Sequence, residues 1–141
     1  MVGLIFFVKD NIHTFVFDDK PTNNFFCIHT LNKQGNPITI YPEAHIWPYC
    51  PFIRPFKKGT FRYPVELDAP VYAGVTTYQK RKFFSTPKVT IYVLGPYYVD
   101  TTISPVLAEE KIRNTIEKDM QTIMDEYNTY RPIEYIKKEN H

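Results

Sequence analysis

TFRYPVELDAPVYAGVTTY, residues 60–78, is the stretch on which the fold turns. Phe61, Tyr63, Val65 and Leu67 alternate with Thr60, Arg62, Pro64 and Glu66, the period-two pattern of a half-buried strand. Asp68-Ala69-Pro70 is turn chemistry, and Val71 to Tyr78 reads as a strand returning beside the first. The pattern therefore predicts a β-hairpin around Ala69 with residues 60–67 and 71–78 as its arms.

Outward from that hairpin the chain reads as more sheet. Residues 2–8 are a continuous apolar run, as in a central strand. Residues 12–18, 25–30 and 38–41 read as strands, the last two joined by a turn at Asn32–Asn36. Residues 89–94 read as another. After Ser104, an N-cap residue, and Pro105, suited to the first helical position, the period changes. Val106, Ile112, Ile116, Met120, Ile123, Met124 and Tyr127 share one helical face, and Asn128 and Pro132 end it. The expected fold class is α+β: a mainly antiparallel sheet of about 6–7 strands over residues 1–95, with one long amphipathic helix over about 105–127 packed on it. Residues 1–141 read as one domain, with a polar frayed tail from 134 to 141.

Composition bounds the function classes. Hydrophobic residues make up 43% and charged residues 23%, a globular balance. Two cysteines make no disulfide framework and fit a reducing compartment. The N-terminal apolar run is too short to span a bilayer and lacks the marks of a signal peptide, so a cytoplasmic protein without a membrane partner is expected. Aromatic residues reach 16%. Between residues 42 and 58 prolines alternate with Trp47, Tyr49, Phe52 and Phe56. Proline cannot serve a central ladder, so this is a loop or edge, either a protein-contact surface or a belt packed across the sheet.

Charge is unevenly spread. The whole chain carries +2, but residues 52–88 carry a net +6 and the remainder −4. If 60–67 and 71–78 pair, Lys58 lies near Lys80 and Lys57 near Arg81, with Arg54 and Lys82 extending from the same open end. Arg62, Tyr78 and Phe83 lie among them. Cations interleaved with rings suit phosphate and base recognition, because rings stack on bases at roughly 1–3 kcal/mol each.

Chemistry is sparsely signalled. Cys27, His29, His45 and Cys50 are the right types for a tetrahedral zinc site, but their spacing matches no common finger, and buried residues are the simpler reading. Cys50 has His45 nearby in sequence, with nothing that brings the two into contact. The five glycines are too dispersed for a phosphate-binding loop. Glu109 and Arg113 sit four apart, spaced for a helical ion pair. No catalytic residue, metal or cofactor is assigned. The leading expectation is a non-enzymatic protein that captures or sequesters a phosphate-bearing ligand, a nucleotide or nucleic acid. It would use Arg54, Lys57, Lys58, Arg62, Tyr78, Lys80, Arg81, Lys82 and Phe83. The alternative is a protein-interaction module, an inhibitor or assembly component, using Trp47, Tyr49, Phe52 and Phe56, with a homo-oligomer among its forms. A small hydrolase ranks third.

Overall fold

In the computed structural model of the chain, residues 3–7, 38–43 and 47–136 are described. The expected strands at 12–18 and 25–30 lie outside these residues, as do Cys27, His29, His45 and positions 137–141. The described residues form an α+β arrangement. Strands β1 (Gly3–Phe7), β2 (Ile38–Ile40), β3 (Val71–Gln79) and β4 (Lys88–Tyr97) make a sheet in the order β2-β1-β3-β4, with every neighbouring pair antiparallel.

The hairpin expected around Ala69 is not there. Residues Arg62–Leu67 form a short helix, α1, not a strand. Phe61, Pro64 and Leu67 are the residues it buries, a spacing of three. Phe61 and Leu67 fit both a period of two and a helical turn, so the alternation was ambiguous. Four features favour the helix. Gly59 supplies a positive φ of 85° just before it. Pro64 falls in the first turn, where a missing N–H costs nothing. Arg62 and Glu66 make an i,i+4 ion pair at 2.8 Å. Asp68 ends the helix in the left-handed region, its N–H turned back to the carbonyls of Pro64 and Val65.

The long helix α2 (Pro105–Tyr127) stands where periodicity placed it. Ser104 caps it, its side chain accepting the Leu107 N–H. Ala108, Ile112, Ile116, Met120 and Met124 are buried, one every fourth residue, a ridge that fits against a sheet. Val106, expected on that face, is 75% exposed, because it stands two residues before Ala108, about 200° round the helix from the buried ridge. The ridge meets Val71, Ala73 and Val75 of β3, together with Cys50, Ile53, Phe56, Phe61 and Leu67. Ala73, between Val71 and Val75 on the face that meets α2, is small enough to let the helix approach. Truncating a ridge residue such as Met120 to Ala removes about 2–5 kcal/mol.

β3 is longer than its neighbour β1, which pairs only as far as Val75. Beyond that point the segment after α2 takes over the ladder. The Tyr78 N–H donates to the Asn128 side-chain oxygen at 2.7 Å. The Tyr130 N–H donates to the Tyr78 carbonyl at 2.9 Å, and the Lys80 N–H to the Thr129 hydroxyl at 3.0 Å. This relay closes β3 and fixes the level at which the loop to β4 leaves the sheet.

Candidate functional site

The basic residues do not converge. Without a hairpin at Ala69, residues 57–59 lie at one end of α2, where the Gly59 N–H donates to Glu109 at 2.9 Å. Glu109, which the spacing paired with Arg113, is thus turned to this loop. Residues 80–82 lie at the other end, held by the Lys80–Thr129 bond. From Glu109 to the helix end at Tyr127 the axis rises roughly 27 Å. Lys57 and Lys58 are exposed at the first end. Arg62 spends its charge on Glu66. Arg54 is buried, bonded to Glu43 at 3.3 Å, with its guanidinium 4.5 Å from the Trp47 ring centroid. The nine-residue cluster expected from sequence is therefore split, and only Tyr78, Lys80, Arg81, Lys82 and Phe83 remain together.

The proline-aromatic segment is the belt that sequence offered as one of its two readings. Trp47 stacks on Tyr135 with centroids 5.3 Å apart, and Phe52 meets both rings edge-on. The Tyr135 hydroxyl donates to the Pro48 carbonyl. Tyr135 therefore anchors part of the tail that was expected to fray from residue 134. Tyr49 lies edge-on against Tyr78 and Tyr130. Phe56 is buried against Phe61. The Ile53 N–H donates to Gln121 of α2 at 2.8 Å. These rings are spent on holding the belt to the helix and to the chain that follows it.

The β3–β4 hairpin carries an open surface. Its loop carries Lys80, Arg81 and Lys82, then Phe83 and Phe84, which are 83% and 65% exposed. Arg81 lies 5.4 Å from the Phe84 ring centroid and Lys82 5.6 Å from that of Phe83. From Ala69 to Val99 the sequence has no acidic residue. Behind the tip, β4 turns Tyr92 and Leu94 towards the core and Val89, Ile91 and Val93 outwards. Those three are 55–62% exposed. β4 is also an edge of the sheet among the described residues. Sequence reasoning read 89–94 as a strand but missed this stripe, because an unbroken apolar run carries no mark of which face is covered.

Cys50 is fully buried, its thiol donating to the Phe52 carbonyl, and burial raises its pKa. Burial also raises the Glu43 carboxyl, against the pull of Arg54. Tyr97, at the end of β4, donates to Asp119 at 2.8 Å, and burial and that bond push its phenol well above its usual range. No group of metal-ligating side chains is found among the described residues. Among them, no helix is long and apolar enough to cross a membrane. No family model, curated protein or solved structure matches the chain.

Proposed function

We propose that this chain is a non-enzymatic interaction module that engages a protein partner through the β3–β4 hairpin. One observation carries the reading: Val89, Ile91 and Val93 stand more than half exposed, in alternation, on a strand that is an edge of the sheet among the described residues. Natural sheets blunt their edges with charges, prolines or short strands. Here the regular part of β4 between Lys88 and Pro96 has no charge at all. An exposed apolar row of this kind marks a contact surface. The expected inhibitor or assembly role is kept, but its contact surface moves from Trp47, Tyr49, Phe52 and Phe56 to the outer face of β4.

The test compares native mass spectra of the protein and of an Ile91→Lys variant, each purified gently from the cells that make it. The reading expects a polypeptide bound in stoichiometric amount to the first and lost from the second. An interaction that ignores Ile91→Lys but disappears with Trp47→Ala overturns it.

A second reading is favoured by the tip itself. Lys80, Arg81 and Lys82 beside two open phenyl rings suit a single-stranded nucleic acid, with phosphates on the cations and bases on the rings. This retains the phosphate-bearing ligand but not the role expected of Arg54, Lys57, Lys58 and Arg62. It predicts oligonucleotide binding that falls steeply with salt and is lost in Phe83→Ala. Binding indifferent to salt counts against it.

A further inference from the structure

We propose that the β3–β4 loop docks the protein on an anionic lipid surface. Phe83 and Phe84 enter the boundary between headgroups and acyl chains, and Lys80, Arg81, Lys82 and Lys88 meet the lipid phosphates. The loop is tied down at both feet. The Lys80 N–H donates to the Thr129 hydroxyl at 3.0 Å, and the Tyr130 hydroxyl donates to the Ser85 carbonyl at 3.5 Å. Between these anchors Arg81, Lys82, Phe83 and Phe84 all stand exposed, so the loop projects as an amphipathic tip. Because its feet are held, docking orders little new chain. Lys88, exposed where β4 begins opposite Gln79, adds a fourth cation at the base. Among the described residues no carboxylate pairs with any of the four, and the sequence holds no acidic residue from Ala69 to Val99.

Ring chemistry and shape select the occupant. Arg81 keeps to Phe84 at 5.4 Å and Lys82 to Phe83 at 5.6 Å. A ring lowered to the acyl boundary therefore leaves its cation just above it, at the level of the phosphates. A base stacking on either ring finds one face already shared with a cation and covers only the other. A bilayer closes round a projecting tip and takes up the whole ring. A folded protein would need a cleft shaped to the tip and carboxylates placed for its cations. An anionic bilayer supplies an apolar layer beneath a negative one with no shaping at all. The expectation of no membrane partner rested on the lack of a spanning segment, and a tip that rests in the interface needs none. The proposal goes beyond the protein-partner reading, since Val89, Ile91 and Val93 take no part in it.

Vesicle flotation of the full-length chain tests it. The protein should float with vesicles of phosphatidylserine and phosphatidylcholine at about 150 mM salt, and stay behind with phosphatidylcholine alone. Replacing both rings, Phe83→Ala with Phe84→Ala, should lower the partition coefficient by about 10-fold or more. Removing two cations, Lys80→Gln with Lys82→Gln, should lower it by a similar factor, about 5-fold for each. The circular dichroism spectrum should stay unchanged in both variants. The emission that Phe83→Trp adds to that of Trp47 should move to the blue when anionic vesicles are present. Failure to float with anionic vesicles overturns the proposal, as does equal flotation on both compositions or flotation indifferent to the loss of both rings. A dT oligonucleotide that binds through Phe83 while anionic vesicles do not float assigns the tip to nucleic acid and also overturns it. Loss of a polypeptide partner in Ile91→Lys is decided separately from all of these results.

Discussion

Asn128 stands in for a strand: its side-chain oxygen accepts the Tyr78 N–H at 2.7 Å, at a position of β3 that β1 does not reach. Asn128 is 2% exposed and also ends α2, its own N–H donating to the Met124 carbonyl. One residue thus joins the end of the helix to the sheet. Asn128→Ala leaves the Tyr78 N–H buried without an acceptor and should cost about 1–3 kcal/mol. The urea midpoint should fall with the slope unchanged, and the Tyr78 amide should exchange faster. An unchanged midpoint would show that water serves the bond equally well.

Arg54 should behave as a structural residue. It is buried with Glu43, and removing one partner of a buried pair costs about 3–5 kcal/mol. Arg54→Met should lose that much at pH 7. The Glu43 carboxyl is raised above 4.5 by burial, with Arg54 pulling it back. A raised folded pKa contributes stability that is full below the unfolded value and fades as pH rises through the folded one. Without Arg54 the folded value climbs further, so Arg54→Met should regain more stability than the parent on acidification from pH 7 towards 4.5. Melting temperature against pH for the two proteins decides it; parallel curves would refute the account.

Asp100 has the opposite sign. Its carboxyl is held down to about 2 by the Lys111 ammonium at 2.6 Å and by the hydroxyl and N–H of Thr102. Its contribution is present above the ordinary value of 3.8 and is lost as pH falls through about 2. Asp100→Asn should lower the melting temperature slightly above pH 4, and the difference should shrink towards pH 2. Because the pair is exposed, added salt should shrink it too. A difference that persists at pH 2 would point to a cause other than charge.

Gly95 should resist replacement. Its φ is 120°, and an added Cβ would stand 2.8 Å from the Val71 carbonyl oxygen. That oxygen belongs to the backbone of β3 and cannot swing aside. Gly95→Ala should cost roughly 1–3 kcal/mol, whereas Gly59→Ala, with φ of 85° but open space around it, should cost less. Chemical denaturation of both variants gives the comparison, and equal losses would argue against the clash.

What the sequence disclosed depended on how many residues voted. α2 was legible because its apolar positions repeat over six turns and Ser104-Pro105 marks the start. β3 and β4 were legible from β-branched runs. Residues 62–67 were not: over six residues Phe61 and Leu67 fit either period, and the deciding signals, Gly59 and the Arg62–Glu66 spacing, are local and easily outweighed. That single misreading carried the candidate site with it, since the meeting of residues 54–58 with 80–82 depended on pairing that never forms. The tip survived because Lys80 to Phe84 is contiguous in sequence and needs no fold to bring it together.

The order of elements sets a hazard during synthesis. The ridge on α2 that covers Val71, Ala73 and Val75 is translated after every strand it covers. At about 5–20 residues per second, β3 waits roughly 3–11 s from its first residue until the last turn of α2 is made. Throughout that interval a nascent sheet presents apolar residues on both faces. The cations at 80–82 then act as gatekeepers, discouraging the aggregation that such a strand invites.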